Sequence, residues 1–362
     1  MPETSNLRKR VSCQGECLAH LCNMAASTAL RLLALGPNPA LQKVLSFESP
    51  LQLGGVNRAK GSSSYVGGKG QGVALALHRW APGSSGVAHF LGGDTGVYVE
   101  DSLRQSGVAQ ITQLVAAPTR ICTTLLDDGG RSSELIEPSG PVTPAEVDGL
   151  VAKLSTAFAD GGGYSGIACC GTTPPGASAL YAEVAMRCAT PETLFMVDAS
   201  KTADVRTLLE SGRIDVVKCN VDEIKALTST SSADEAAARL FRGPQPPLRR
   251  PGALLALTDG ADTAYLYAAS GHAWRLHVPT LAVKNAIGAG DVCTAIFLHE
   301  LAVAARVSGG WGSVDGETAA EAFAWGLAAA CARCMHEAPT DFTREEALAM
   351  RQKIRIEKAE CV

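Results

Sequence analysis

One stretch, Asn285-Ala286-Ile287-Gly288-Ala289-Gly290-Asp291, combines residue types that could carry a reaction. Gly288, Ala289 and Gly290 keep side chains clear of their own N–H groups. At a helix start such amides form a concave donor set for an anion. The helix dipole adds roughly 0.3–1 kcal/mol per contact near a surface. Asp291 closes the turn. A carboxylate is an awkward neighbour for a bound phosphate. It fits if it takes a proton from an attacking hydroxyl while the amides hold charge building on a phosphoryl group. The plainer alternative is a helix N-cap Asp after a glycine turn, a common arrangement.

A second cluster is Gly67-Gly68-Lys69-Gly70-Gln71-Gly72, ahead of the helix-forming run Val73 to Leu77. Glycines there indicate close backbone approach to something. The P-loop pattern is not present. The G-x-G-x-x-G at Gly161 to Gly166 follows a helical segment and precedes a strand, the reverse of the dinucleotide-binding order. Cys331, Cys334 and His336 lack a second Cys/His pair at finger spacing and sit in a helical segment, which argues against zinc.

These clusters need elements to position them. Trp274 to Val283 reads as a strand before the Asp291 turn, and Val292 to Val307 as the helix after it. Near the start, Ala29 to Leu35 is an apolar strand running into Gly36-Pro37-Asn38-Pro39. Val44–Phe47 and Arg58–Val66 read as strands. So do Thr119–Leu126 and Arg131–Ile136, flanking the hairpin signal Asp127-Asp128-Gly129-Gly130. No helix separates the members of each pair, so these strands form a small separate sheet over the main fold. Val87–Gly92 is a further strand, followed by a helix over Val97–Gln105. From Pro144 the chain alternates: strands Ile167–Cys170, Leu194–Val197, Val216–Cys219 and Leu254–Leu257, helices Ala145–Asp160, Ala177–Cys188, Val205–Ser211 and Asp222–Leu227. Continuous apolar strands between helices predict a parallel sheet covered on both faces. Asp315 to Met335 reads as an Ala-rich helix. Asn38, Asp198, Asn220 and Thr258 each follow the carboxyl end of a strand, where such sheets bind ligands.

Composition limits the alternatives. The chain has 362 residues, 46% hydrophobic, with a net charge of -4. No Lys/Arg block points to nucleic acid or an anionic membrane, and no apolar run is long enough to span a bilayer. The twelve cysteines are scattered, several in apolar segments, which suits free thiols in a reducing, cytoplasmic setting. Residues 1–28 read as a disordered extension, with organelle targeting as the alternative, since Gln14, Glu16 and His20 interrupt any signal-peptide core.

Taken together, the motifs resemble the PfkB (ribokinase-like) carbohydrate kinases over about residues 30–340. Asn285 to Asp291 is similar to the second family signature and Gly67 to Gly72 to the first. Asn220 to Glu223 fits the N-x-x-E motif, and Thr258-Asp259-Gly260 the nucleotide loop. Asn38-Pro39-Ala40-Leu41, Phe90 to Gly93, Thr119-Arg120, Glu137-Pro138 with Gly140-Pro141, and Gly171 to Gly176 resemble the 1-phosphofructokinase and tagatose-6-phosphate kinase branch.

The resemblance implies a ribokinase-like three-layer α/β fold with a mostly parallel central sheet and a small β-sheet lid. The kinase domain would span 29–345, with lid strands near 41–66 and 118–137, and a tail or helix over 346–362. It implies ATP-dependent transfer to a sugar hydroxymethyl. Asp291 would be the base, and the amides of Gly288, Ala289 and Gly290 would hold the transferring group. Asn220 and Glu223 would place Mg²⁺. Lys218, Thr258 and Gly260 would line the ATP site, with the Ala-rich 326–334 near the adenine. Asn38, Gln42, Gly67, Gly68, Lys69, Gly72 and Arg120 would form the sugar side, Arg120 meeting a substrate phosphate. The lid would exclude water and could pair two chains into a homodimer.

Four positions depart from the branch. Gln42 stands where Asp is usual and Gly72 where Asn is usual. Both usual residues touch sugar hydroxyls, so the acceptor's hydroxyl pattern is open to change. Ala286 replaces a common Thr, which bears on K⁺ as a further cofactor, and Thr263 replaces a Gly. A nucleoside kinase of the same fold and a binding protein without turnover are the rival readings.

Overall fold

A computed structural model describes residues 30–128, 131–159, 163–199, 202–261 and 263–359. The expectations for residues 1–28, the Gly129-Gly130 turn and the Gly161 end of the glycine pattern lie outside these residues.

Ten strands form the main sheet, in the order β14-β13-β12-β11-β10-β9-β8-β1-β4-β5. The parallel part comprises β1 (Leu32–Leu35), β4 (Ser85–Leu91), β5 (Ala109–Leu114), β8 (Gly166–Cys170), β9 (Leu194–Asp198), β10 (Val216–Asn220) and β11 (Leu254–Asp259). Three antiparallel strands extend it: β12 (Thr263–Ala268), β13 (Ala273–His277) and β14 (Arg355–Ala359).

Alternation along the buried strands divides the core into two halves. Leu32 and Ala34 face one cluster with α1 (Lys69–Trp80), α8 (Ala289–Val307), α9 (Gly316–Cys334) and α10 (Arg344–Arg351). Leu33 and Leu35 face the other, with α3 (Pro144–Ala159), α4 (Leu180–Arg187), α5 (Thr202–Ser211), α6 (Val221–Thr228) and α7 (Ala233–Phe241). The result is helix, sheet, helix. The helix α2 (Gly93–Gln105) follows β4.

A second sheet of four strands runs β3-β2-β6-β7. It comprises β2 (Ala40–Ser46), β3 (Gly61–Gly67), β6 (Arg120–Leu126) and β7 (Ser132–Ile136), which among the described residues pair only with one another. This is the expected lid.

Several elements differ from the sequence reading. The strand expected over 274–283 ends at His277. Pro279 has no N–H to continue the ladder, and residues 278–288 form an irregular connection instead. β5, β12 and α7 were not anticipated. Of the tail or helix expected over 346–362, α10 supplies a helix as far as Arg351, and a strand follows it: β14 pairs with β13 from Arg355↔His277 to Ala359↔Ala273. No helix among the described residues is long and apolar enough to cross a membrane.

Candidate active site

The Asp291 turn opens α8. Its N-cap, Gly288, has φ 84°, a left-handed conformation that glycine adopts without a Cβ penalty. The Ala289 amide donates to the Ala286 carbonyl at 3.1 Å and closes the turn. It is therefore not available to an anion, contrary to the sequence expectation. The amides of Gly288, Gly290 and Asp291 have no acceptor among the described residues, so the free donor set is shifted toward the helix.

Asp291 is half-buried and faces α1. A Cβ built on Gly72 would lie 2.5 Å from Asp291 Oδ2. The first glycine cluster and the Asp291 turn thus meet face to face. Burial pushes the Asp291 carboxyl up to about 7; Lys69 and Lys218 oppose that shift and Asp198 reinforces it.

Behind this carboxyl is a buried hub that the sequence did not reveal. Asp198, fully buried at the end of β9, accepts from Lys69 Nζ at 2.7 Å and Lys218 Nζ at 3.2 Å, and from the Thr294 hydroxyl. Lys218 and Thr294 also donate to the Gly290 carbonyl, at 3.1 and 2.9 Å. Burial alone would raise the Asp198 carboxyl, but Lys218 and Lys69 hold it well below the usual carboxylate range. Burial disfavours the Lys69 charge too, yet Asp198 and Asp291 more than offset it and its pKa is raised. The available signal was an acid ending the all-apolar Leu-Phe-Met-Val run. Its neighbour β10 lies in register at Val217↔Val197, which puts Lys218 beside Asp198.

On the sugar side, Asn38 donates from Nδ2 to Thr172 Oγ1 at 2.8 Å. Arg120 donates to the Asn38 carbonyl at 3.4 Å, and its buried Nε has no partner. Asn38, Arg120, Ser139, Gly140 and Pro174 line one cavity. Gln42 is engaged within the lid, donating to Thr124 Oγ1 at 2.9 Å and the Lys43 carbonyl at 3.2 Å. Two glycines of the first cluster have a packing reason of their own. A Cβ on Gly70 would lie 2.3 Å from the Gly36 Cα, and one on Gly68 3.0 Å from the Pro39 Cα. Gly67 ends β3 against Ala40 of β2.

On the nucleotide side, Thr258 pairs with Asn220 across β10 and β11, so both motifs share one edge. Gly260, at φ 60°, has open space around it. Asn220 and Glu223 form a capping box: Asn220 Oδ1 accepts from the Glu223 amide at 2.7 Å, and Glu223 Oε2 accepts from the Asn220 amide at 2.9 Å. Their spacing thus has a structural cause as well. Glu223 Oε1 remains free of that box, which fits a divalent cation held by one carboxylate and mostly by water. Among the described residues no three His, Cys, Asp or Glu side chains cluster as a full metal cage.

Fold and site define an α/β protein whose acid, free amides and lysines converge at the carboxyl edge of a parallel sheet, the setting of a phosphate-handling enzyme. The sequence model described as "pfkB family carbohydrate kinase" matches residues 44–345, and the chain belongs to that family of phosphotransferases acting on an alcohol group. Solved structures share the fold. Phosphofructokinase-2 from Escherichia coli, in complex with potassium, superposes with a TM-score of 0.74 at 18% identity, covering 90% of this chain and 99% of that one. A possible 1-phosphofructokinase from Thermotoga maritima gives 0.72 at 18%, covering 91% and 100%. Ribokinase from the same organism gives 0.68 at 16%, covering 89% and 99%.

Proposed function

We propose that the protein transfers the γ-phosphoryl group of ATP to a hydroxymethyl of a sugar phosphate, as in the 1-phosphofructokinase and tagatose-6-phosphate kinase branch. The observation that carries this reading is the Asp291 carboxyl, poised near 7 beside Gly72 and next to unpaired amides at a helix mouth. A general base works best with a pKa near the operating pH. Asp291 accepts the hydroxyl proton, and the amides of Gly288 and Gly290 hold the charge on the phosphoryl oxygens. Lys69 and Lys218 keep positive charge nearby while Asp198 fixes their position.

Thr258 and Gly260 line the nucleotide, with Asn220 beside them. Mg²⁺, placed through Glu223 and Asn220, would neutralise charge on the polyphosphate when bound. Asn38, Gly67 and Gly68 border the acceptor. The unpaired Nε of Arg120 supports a phosphate on that acceptor, because a buried guanidinium N–H lacking a partner suits a bidentate anion. Gly72 supplies no amide to a sugar hydroxyl, and its space is taken by Asp291. The acceptor therefore lacks a partner that an Asn would offer there. The lid closes over these groups and excludes water, and its exposed outer strand pairs two chains.

The deciding experiment is a panel of sugars, sugar phosphates and nucleosides with Mg·ATP. Turnover of a sugar phosphate is expected, falling about 10²–10⁴-fold in Asp291→Ala with ATP binding retained. Arg120→Gln should raise KM for the sugar phosphate and leave KM for ATP unchanged. Phosphorylation of nucleosides alone, or no product at all, would reject the proposal.

A further inference from the structure

Arg333, in the last turn of α9, is fully buried yet pairs with no carboxylate among the described residues. Its partners are main-chain oxygens. One terminal nitrogen donates to the Asn285 carbonyl at 3.2 Å and the His336 carbonyl at 3.0 Å; the other donates to the Ile287 carbonyl. Two of these three oxygens belong to the turn that leads into Gly288. The guanidinium lies close beneath that turn: a Cβ on Gly288 would be 3.8 Å from Arg333 Nε. Other bonds tie the same turn to the same helix end. The Lys284 amide donates to the Cys334 carbonyl at 2.9 Å, and Asn285 Nδ2 to the Glu337 carbonyl at 2.7 Å.

A positive charge surrounded by backbone carbonyls is how proteins hold a dehydrated monovalent cation. Here the charge is covalently part of the chain, and arginine does not lose it. Peptide geometry links this to the site. The Ile287 carbonyl and the Gly288 N–H share one planar unit and point in opposite directions. Pinning the oxygen on Arg333 aims the Gly288 N–H away from the guanidinium.

We propose that Arg333 is a built-in cation that positions the phosphate-holding turn, so that this protein needs no external monovalent cation to order it. Its catalytic consequence rests on the kinase reading; its structural consequence does not. Arg333 is a positioning residue and touches no reacting atom.

The test compares wild type, Arg333→Ala and Arg333→Lys in KCl, NaCl and tetramethylammonium chloride at matched ionic strength. Hydrogen exchange of the 285–291 amides and Tm are read first, then kcat and KM with ATP and fructose 1-phosphate or fructose 6-phosphate. Wild type should respond to none of the salts specifically. The Ala variant should exchange faster over 285–291 and lose about 10–100-fold in kcat with little change in KM. K⁺ should restore part of both, and tetramethylammonium neither. The Lys variant should lie between them without K⁺. Wild type that requires K⁺, or an Ala variant with unchanged 285–291 exchange, overturns the proposal. Should the Ala variant not fold, the Lys variant decides: K⁺-sensitive exchange at 285–291 supports the role, and salt-indifferent exchange removes it. Absence of turnover in wild type on every acceptor would end the kinase reading while the exchange data still judged Arg333.

Discussion

Asp291 is held between opposing influences. Burial pushes its proton affinity up, and Lys69 and Lys218 pull it down; the balance falls at about 7. The sign of the pH dependence follows. An unfolded Asp titrates near 3.9, so between that pH and 7 the folded state binds more protons than the unfolded one. Stability from this group is present below the lower value and lost as pH rises through the upper. Asp291→Asn should therefore be more stable than wild type above pH 7, with the gap closing toward pH 4, as read by Tm across pH. If Asp291 is the base of the proposed reaction, wild-type kcat should rise through about pH 7 as it ionises. Asp198 behaves oppositely: its ionised form is needed. Asp198→Ala removes the one carboxylate that Lys69 and Lys218 both bond, leaving Asp291 as the nearby acid, and should cost about 3–5 kcal/mol in chemical denaturation. The Asp291 turn was legible because its parts are contiguous in sequence. The Asp198 hub was not, because Lys69 and Thr294 lie far from it along the chain and only packing unites them.

At the scale of elements, α1 is set by glycines with different tasks. Gly70 lets the helix start rest on the Gly36 backbone, where an added methyl would meet Cα at 2.3 Å. Gly72 makes room for the Asp291 carboxyl at the other side. Their alanine variants should separate. Gly70→Ala should lower stability by about 1–3 kcal/mol because main chain must move. Gly72→Ala should mainly lower kcat by displacing the acid, with folding less affected, as thermal melts and steady-state rates will show. The buried strands β8, β9, β10 and β11 were readable as short apolar runs. β5 and β14 were not, because polar residues such as Gln110 and Gln113, or Arg355, Glu357 and Lys358, dilute the apolar signal of sheet-edge strands. β12, Thr-Ala-Tyr-Leu-Tyr-Ala, was obscured by the glycine loop beside it.

For the whole molecule, a lid over a doubly covered sheet was evident from strands lacking intervening helices. Its outer strand β7 is exposed throughout, with Leu135 at 58% and Ile136 at 60%. Such a strand edge carrying apolar side chains invites a partner. If two lids pair, sedimentation should show a dimer that Ile136→Lys converts to monomer, with the main fold intact by circular dichroism. A monomeric wild type at all concentrations would remove the lid pairing.

Lys69 stands two residues beyond the end of lid strand β3, and its ammonium grips Asp198 in the floor of the main sheet. Asp198 in turn shares Thr294 and Lys218 with the Gly290 carbonyl. Any swing of the lid about Gly68 thus tugs a chain of contacts ending at the cradle itself. On the proposed kinase function, opening to release product and slackening the grip on phosphate would become one motion, and a closed cover and a tightened cradle would arrive together.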